Sequence, residues 1–278
     1  LSLKHMRIFS ICVLVYFLAC PSVSLRSQNG GNREPGIVAH RGYWNTEGAA
    51  QNSVTALKNA QKMGLYGSEM DVWLTKDGYL VVGHDKKMNG LSFQDTDYDL
   101  LKDMKLSNGE KLPQLKDFLV QLKQSESPTK LFIVIKKHDS FERNMTVVKA
   151  VLDTVRYYKV ENKVQYITFN LDICKELVRI DPEAVVACLK GGMAPAEVYE
   201  MGIRGIHYHR KEYRDHPQWI REAQELGMTV NVQGINTPED LREMVTLGVN
   251  LVSTDNPVMV LDSLPAIVKS LVSVPCIP

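Results

Sequence analysis

Short apolar runs alternate with longer amphipathic segments along most of the chain. The apolar runs are typical of strands that are buried on both faces of a parallel sheet. The amphipathic segments place apolar residues three or four positions apart, as in helices that cover such a sheet. We predict strands over residues 36–40, 67–74, 131–135, 164–169, 184–189, 203–208, 228–232 and 250–253.

Helices are predicted between these strands, and several are bounded by capping signals. The segment 53–63 stops at a glycine, and Thr237 precedes Asp240 by three residues, which is a capping pattern at a helix start. Residues 75–78 favour a tight turn into residues 79–84, so the second strand opens a β-hairpin. The other predicted helices cover residues 115–123, 141–158, 173–180, 195–201, 217–226 and 258–271.

The number of strand–helix units fits the length of the chain, which is 278 residues. Eight such units in about this length favour a closed barrel over an open sheet. We therefore predict an α/β protein with a (β/α)8 TIM-barrel architecture and a small insertion after the second strand. The first strand is not followed by a glycine fingerprint of the dinucleotide or P-loop kind. Functional residues are then expected at the carboxyl ends of the strands.

The first 24 residues have the pattern of an export signal. Lys4 and Arg7 precede an apolar stretch over residues 8–19. This stretch is short for a membrane-spanning helix and typical of a secretory signal. We predict a signal peptide over residues 1–24, with a retained membrane anchor as the alternative.

Two processing sites remain open. Residues 18–20 look like a bacterial lipoprotein site, which would leave Cys20 lipidated, whereas residues 22–24 suit ordinary signal peptidase. We expect residues 25–35 to form a flexible tether and residues 36–278 to form the barrel domain. The predicted location is secreted, periplasmic or lipid-anchored outside the cytoplasm, with membrane contact only through a lipid at Cys20.

Charge and cysteine content narrow the classes of partner. The formal net charge is +1, and the basic residues are scattered, so the chain lacks the electrostatic footprint of a nucleic-acid-binding protein. The cysteines after the leader are odd in number and form no Cys-x-x-Cys pair, which argues against a disulfide framework or a thiolate metal site. These cysteines are Cys174, Cys188 and Cys276.

Two carboxylates lie two positions apart in the second strand. Glu69 and Asp71 therefore project from the same face of that strand. A carboxylate pair in a barrel is costly unless it binds a cation or forms ion pairs. One interpretation is a site for Mg²⁺ or Ca²⁺, which prefer oxygen ligands. The other is a buried ion network with Arg41 and Lys136.

Two histidines bracket these acids along the chain. His40 ends the first strand, and His84 is followed by Asp85. Histidines beside carboxylates are suited to proton transfer near neutral pH. Arg41 supplies a bidentate donor for a phosphate, and Lys136 supplies a point charge. Together with a divalent cation, these groups suit cleavage of a phosphodiester.

The ordered motifs resemble the glycerophosphodiester phosphodiesterase family over roughly residues 36 to 260. They begin with the His-Arg-Gly sequence at residues 40–42 and end with the segment that contains Thr-Asp-Asn-Pro. The motifs that carry the resemblance are residues 40–42, 51–53, 67–72, 75–78, 82–85, 109–113, 135–136 and 249–257.

The resemblance implies a (β/α)8 barrel with a small insertion after the second strand, and it implies roles for six residues. In the family, a hydroxyl of the glycerol or a water molecule attacks phosphorus while two histidines exchange protons. Carried onto this chain, the pattern assigns general acid–base catalysis to His40 and His84, metal binding to Glu69 and Asp71, and phosphate binding to Arg41 and Lys136.

The chain departs from the family pattern at three places. The family has a glutamate two residues before the lysine of the third strand, as a further metal ligand, and here that residue is Val134. Fewer carboxylates should weaken metal binding. The glutamate common before Asn52 is Gln51, and an aromatic residue frequent in the seventh strand is replaced at residues 233–234. The last change opens the wall expected beside the alcohol.

Three functions are consistent with these residues. The first is a secreted, metal-dependent phosphodiesterase that hydrolyses glycerophosphodiesters to an alcohol and glycerol 3-phosphate. The second is a non-catalytic phosphodiester-binding barrel that has lost a ligand at Val134. The third is a sugar-directed hydrolase with Glu69 and Asp71 as acid and nucleophile, although neighbours on one strand are poorly placed to flank a glycosidic bond.

Some polar and aromatic residues near the predicted site are assigned more ordinary positions. His138 and Asp139 are predicted to be loop residues rather than ligands. His207 and His209 alternate along the sixth strand, so both are candidates to face the barrel mouth. Trp44 follows the His-Arg-Gly turn and is a candidate to line the pocket.

Overall fold

The computed structural model describes residues 34–272. Its strands are β1 (Gly36–Ala39), β2 (Gly67–Leu74), β3 (Leu80–Val82), β4 (Lys87–Met88), β5 (Leu91–Ser92), β6 (Lys130–Ile135), β7 (Val164–Thr168), β8 (Val186–Cys188), β9 (Gly205–His209), β10 (Thr229–Gln233) and β11 (Leu251–Thr254). Its helices are α1 (Val54–Lys62), α2 (Tyr98–Leu101), α3 (Leu115–Gln124), α4 (Phe141–Tyr158), α5 (Leu171–Ile180), α6 (Pro195–Glu200), α7 (Arg210–Asp215), α8 (Gln218–Glu225), α9 (Pro238–Leu247) and α10 (Pro257–Val272). The predicted signal peptide, Cys20, most of the tether and Cys276 lie outside these residues.

Eight parallel strands close into a barrel, which confirms the predicted architecture. They follow one another around the barrel as β1, β2, β6, β7, β8, β9, β10 and β11. The closing pair is β1 and β11, aligned with Ala39 beside Thr254. On its other side, β1 pairs with β2 through Val38 and Ala39. Residues that follow β1 and β11 therefore lie next to each other at the mouth of the barrel.

The insertion after β2 begins with the predicted hairpin. β2 extends beyond its pairing with β1 and turns back into β3, with Val72 opposite Val82. The turn needs a residue with φ near +93°, which Gly78 supplies. The short β4–β5 ribbon and α2 follow, and neither was predicted because such short elements carry little periodicity. An apolar cluster of Trp73, Val81, Phe93, Leu101 and Leu112 holds the insertion together.

The barrel interior has an apolar cluster from several neighbouring strands. Phe132 packs against Gly67, where an added Cβ would lie 2.3 Å from the phenyl ring. Val134 belongs to the same cluster and is 3% exposed. The other members are Val38, Ile167, Leu189 and Leu251. Polar residues then concentrate toward the carboxyl ends of the strands.

Helix boundaries follow local capping chemistry. Ser53, Ser140 and Thr237 each accept a hydrogen bond from the backbone N–H three residues later, at the starts of α1, α4 and α9. Lys159 and Gly248 take left-handed conformations that end α4 and α9. Within the described residues, the helices include none long and apolar enough to span a membrane.

The segment after β9 differs from the prediction of one helix over residues 217–226. Two helices occur there, α7 and α8. The imidazole of His209 accepts a hydrogen bond from the Lys211 N–H at 3.3 Å and so caps α7. The short, mostly polar α7 carries too little apolar periodicity to be recognised in sequence.

Candidate active site

His40 follows β1 at the mouth of the barrel. Its Nδ1 lies 2.8 Å from an Asp255 carboxylate oxygen, and Asp255 follows the neighbouring strand β11. Asp255 is itself held by the Asn236 amide at 3.2 Å and by Trp44 Nε1 at 3.4 Å. An ionised carboxylate only accepts hydrogen bonds, so Nδ1 carries the hydrogen. This leaves His40 Nε2 free toward Glu69, whose Oε1 lies 3.7 Å away.

The environment of His40 stabilises its charged form. Burial alone would lower the pKa of His40, but the hydrogen bond to Asp255 and the charges of Glu69 and Asp255 outweigh burial and raise it. The same hydrogen bond from His40 lowers the pKa of Asp255. The contact therefore stabilises the charged form of His40 more than water would for an isolated imidazole.

The two carboxylates of β2 face the barrel interior and differ in their partners. Asp71 pairs with Lys136 Nζ at 2.8 Å and accepts a hydrogen bond from the Asn52 amide at 2.9 Å. Within residues 34–272, the Glu69 carboxylate accepts no hydrogen bond, and its nearest ion-pair partner is His40; the charges of Asp71, Lys136 and Arg41 also act on it. Burial raises the pKa of Glu69 to about 7. Glu69 is thus a buried acid without a close donor.

Arg41 stands in an unusual backbone conformation. Its φ is 56°, in the left-handed region, and the next residue, Gly42, has a φ of 83°. A Cβ on Gly42 would lie 2.6 Å from Ala56 of α1, so this turn requires glycine. Arg41 Nη1 donates to Gln51 at 2.7 Å, while its buried Nε has no hydrogen-bond partner in the described region. Non-glycine residues with such angles concentrate at functional sites.

His84 lies on the loop that follows β3, and it is more exposed than His40. Its Nδ1 is 2.8 Å from Asp85, and 40% of its side chain is exposed. Burial and the charge of Lys136 lower the pKa of His84. Lys86 on the same loop pairs with Asp139 at 2.8 Å, which ties the loop to the segment after β6.

The structure brings the predicted site residues to one end of the barrel. The charges of Lys136, Asp71 and Arg41 all act on the pKa of His84, as expected for groups that share one mouth. Of the predicted ion network, the Lys136–Asp71 pair is present, whereas Arg41 bonds Gln51 instead of a carboxylate. Asp139 does not join the carboxylates, because it pairs with Lys86 and Gln94.

The two histidines of β9 differ in burial and in their hydrogen-bond partners. His209 is exposed and caps α7, whereas His207 is fully buried in the barrel. His207 Nε2 lies 3.0 Å from the Ser253 hydroxyl, and that hydroxyl donates to Asn231 at 3.3 Å. Burial lowers the pKa of His207 to about 3, so it is neutral at physiological pH.

The buried His207 should make stability fall in acid. An imidazole has a pKa near 6.5 when exposed in the unfolded chain, so between pH 6.5 and 3 the unfolded chain binds more protons than the folded one. The stability gained by keeping His207 neutral is full above pH 6.5 and is lost as the pH falls below it. We expect this residue to cost about 2 kcal/mol of unfolding free energy between pH 7 and pH 5.

Urea unfolding at several pH values measures this effect. The matched variant is His207→Gln, which keeps a polar group beside Ser253 but does not titrate. The wild type should lose more stability than the variant on acidification, and equal slopes for the two proteins would contradict the prediction.

His138 has a structural role beyond that of an ordinary loop residue. It is 1% exposed, and its Nε2 accepts a hydrogen bond from the Leu74 N–H at 3.1 Å. Its Nδ1 lies 3.0 Å from the Lys136 carbonyl oxygen. His138 therefore connects the ends of β2 and β6, the strands that carry Asp71 and lead to Lys136.

Residues 40–259 match the glycerophosphoryl diester phosphodiesterase family. The match covers most of the chain and includes the carboxyl ends of the barrel strands. The chain belongs to this family.

Two similar proteins illustrate the family relationship. A crystal structure of a glycerophosphodiester phosphodiesterase from Parabacteroides distasonis has a TM-score of 0.81 at 40% identity, over 86% of this chain and 99% of that one. A glycerophosphodiester phosphodiesterase from Caldanaerobacter subterraneus is 28% identical, over 80% of this chain and 94% of that protein. Both alignments cover nearly the whole length of the other protein, as expected for proteins that share one barrel domain.

A further structure shows the fold alone. The Oleispira antarctica phosphodiesterase, solved in complex with the product sn-glycerol-3-phosphate, has a TM-score of 0.74 at 19% identity. The alignment covers 83% of this chain and 97% of that one.

Glycerophosphoryl diester phosphodiesterases are generally dependent on divalent cations, and the donor set here is small. Residues 34–272 contain no group of three or more His, Cys, Asp or Glu side chains arranged to hold a metal ion. Val134 is paired with Asp71 across the β2–β6 ladder, where the family resemblance implies a glutamate. Mg²⁺ is commonly bound by one or two carboxylates plus water and substrate phosphate. Glu69, buried without a donor, and Asp71 fit that arrangement.

Three residues that organise the site in this family member were not singled out as site residues from the sequence. Asp255 lies 215 residues from His40, so only closure of the barrel brings them together. Asn52 has a φ of 60° and binds both the side chain and the backbone N–H of Asp71. Asn236 binds Asp255 from the next loop. Asn52 and Asp255 lie within the family motifs, and this was the sequence feature that could have identified them as site residues.

Proposed function

We propose that this protein hydrolyses glycerophosphodiesters to an alcohol and glycerol 3-phosphate. The observation that supports this most strongly is the placement of two histidines at one barrel mouth, each with Nδ1 bound to a carboxylate. Each then has Nε2 available for a reacting proton. Membership of the glycerophosphoryl diester phosphodiesterase family gives the substrate class.

His40 and His84 act as the general acid–base pair in this proposal. One imidazole accepts the proton of the attacking hydroxyl, which belongs to the glycerol or to water, as its oxygen bonds to phosphorus. The bond from phosphorus to the alcohol oxygen breaks, and the other histidine donates a proton to that oxygen. Attack by water gives glycerol 3-phosphate directly. Attack by the glycerol hydroxyl gives a cyclic phosphate, so in a second step water bonds to phosphorus, the bond to that hydroxyl oxygen breaks, and the two histidines exchange roles. Both histidines return to their starting states after the proton is exchanged with solvent.

Arg41 and Lys136 bind the phosphate oxygens in this proposal. The buried Nε of Arg41 lacks a partner among the described residues, so the guanidinium has donor capacity remaining. Glu69 and Asp71 would hold a divalent cation, Mg²⁺ or Ca²⁺. When bound, such a cation neutralises charge that develops on a phosphoryl oxygen. Gln51 and Asn52 hold Arg41 and Asp71 in place.

Asp255 should act as a positioning residue for His40, and Asp85 offers a matched comparison. Both carboxylates lie 2.8 Å from an imidazole Nδ1, but the Asp85 side chain is 83% exposed and that of Asp255 is 35% exposed. We expect Asp255→Asn to lower kcat about tenfold or more with little change in KM, because His40 loses its fixed tautomer. Asp85→Asn should have a smaller effect because water screens that pair.

Steady-state kinetics and the ¹⁵N chemical shifts of His40 test this prediction together. The shifts report which ring nitrogen carries hydrogen, a property that loss of folding alone would not change selectively. Equal kinetic losses in the two variants, or an unchanged His40 tautomer in Asp255→Asn, would contradict the positioning role.

The proposed reaction is tested with a panel of phosphodiesters, assayed for glycerol 3-phosphate and free alcohol with and without chelator. Product that disappears with chelator and returns with Mg²⁺ or Ca²⁺ supports the metal-assisted hydrolase. The second candidate is a phosphodiester-binding barrel without turnover. Val134 beside Asp71 and the Lys136–Asp71 ion pair favour it. Binding of diesters without product would establish that candidate.

We propose that the protein is exported, on the strength of the basic and apolar pattern over residues 4–19. Cell fractionation should find it outside the cytoplasm. If residue 20 is lipidated, Cys20→Ser should move the protein from the membrane fraction to the soluble fraction. An unchanged distribution would favour ordinary signal peptidase cleavage or the retained anchor.

A further inference from the structure

A cavity of about 600 Å³ lies between the loop that joins β1 to α1 and the insertion that follows β2. The loop contributes Trp44, Glu47 and Gln51, and the insertion contributes Leu106 and Ser107. We name this space the loop–insertion cavity. None of the six residues assigned to catalysis, phosphate or metal is among its lining residues, so it is a separate part of the mouth.

The loop–insertion cavity adjoins the proposed catalytic groups through two of its lining side chains. Trp44 Nε1 donates to Asp255, the partner of His40, at 3.4 Å. Gln51 accepts from Arg41 Nη1 at 2.7 Å. A phosphate bound by Arg41 therefore has this cavity beside it, and one of its two ester substituents can extend there.

The lining of the cavity has a distinct chemical character. Glu47 is the charged residue among the side chains that line it, and Trp44 adds the aromatic ring. A tryptophan face and a carboxylate both attract cations, and an aromatic wall suits a weakly hydrated ammonium group. The cations proposed to bind phosphate, Arg41 and Lys136, are not part of this lining.

A hydrogen bond joins the two walls of the cavity. The Asn108 amide donates to the Gly48 carbonyl at 3.1 Å, which links the insertion to the loop next to Glu47. Asn108 also donates to the Glu110 carboxylate at 2.5 Å. This hydrogen bond ties the insertion, which contributes Leu106, to the loop, which contributes Trp44.

We propose that the loop–insertion cavity binds the ammonium group of an alcohol substituent on the phosphodiester, which makes it a specificity subsite for cationic diesters. The inference rests on the proposed function for the placement of the phosphate. It goes beyond that function because it assigns Trp44 and Glu47 to the recognition of charge on the alcohol.

Isothermal titration calorimetry tests this subsite in a variant whose turnover is slowed. The protein is the full chain with His84→Ala, and the ligands are glycerophosphocholine, glycerophosphoethanolamine and neutral-alcohol glycerophosphoglycerol. We expect the two cationic diesters to bind about fivefold more tightly than the neutral-alcohol one. Adding Glu47→Gln should bring this ratio close to one. Glu142→Gln removes an exposed carboxylate outside the cavity and should leave the ratio unchanged.

Two substitutions of Trp44 separate its ring from its N–H group. Trp44→Phe keeps an aromatic face but loses the hydrogen bond to Asp255, and it should retain most of the preference for cations. Trp44→Leu should lose that preference. Equal affinity for charged and neutral diesters, or a preference insensitive to Glu47→Gln, would overturn the subsite alone. Failure of every diester to bind would overturn the proposed function as well.

Discussion

Alanine in place of His40 or His84 should lower kcat by about 100-fold or more, since each variant loses one partner in proton transfer. KM should change less, because Arg41 and Lys136 remain to bind phosphate.

The measurement is the steady-state rate on a diester, with circular dichroism and thermal unfolding to check the fold. His216→Ala is the matched control, because His216 stacks on Trp219, 4.0 Å between ring centroids, on the helical surface. This control should retain its rate. A normal rate in either His40→Ala or His84→Ala would exclude that histidine from the proposed chemistry.

Glutamate in place of Val134 should raise affinity for Mg²⁺ or Ca²⁺ by about tenfold or more. Val134 is buried in the barrel interior and pairs with Asp71 across two neighbouring strands. A carboxylate at this position would add oxygen ligands beside Glu69 and Asp71. In the absence of metal, the variant should be less stable than the wild type, because it buries another negative charge.

Metal titration by calorimetry and thermal unfolding with and without cation measure both effects. Val134→Gln is the control, because a glutamine side chain has nearly the same shape as a glutamate side chain but carries no charge. The glutamate variant should show a larger metal-dependent rise in Tm than the glutamine variant, together with faster turnover. Identical metal titrations in the two variants would place the cation elsewhere.

Periodicity was sufficient to predict the barrel, because each strand of a buried parallel sheet is an apolar run with few alternatives. The strand predicted over residues 67–74 coincides with β2, and the helix predicted over residues 141–158 coincides with α4. The prediction that Glu69 and Asp71 project from one face of β2 depends only on the correct placement of that strand. Short polar elements such as α7 were missed because their boundaries depend on single caps, here His209.

Contacts between distant parts of the chain were the part that sequence reasoning did not supply. The alternation of residues along β9 made His207 and His209 equivalent candidates for the mouth, but depth in the barrel separates them. In the sequence His138 has the pattern of a loop residue. Its role becomes visible only when β2 and β6 lie side by side, because it bonds the ends of both strands. Pairings of this kind are set by closure of the barrel rather than by local spacing.

The bond between His40 and Asp255 joins the first strand of the barrel to the last. Any chain that ends before β11, including one still emerging from the ribosome, therefore lacks the carboxylate that orients its first histidine. We expect a barrel assembled in this order to hold His40 in its working orientation only once the ring of strands is complete.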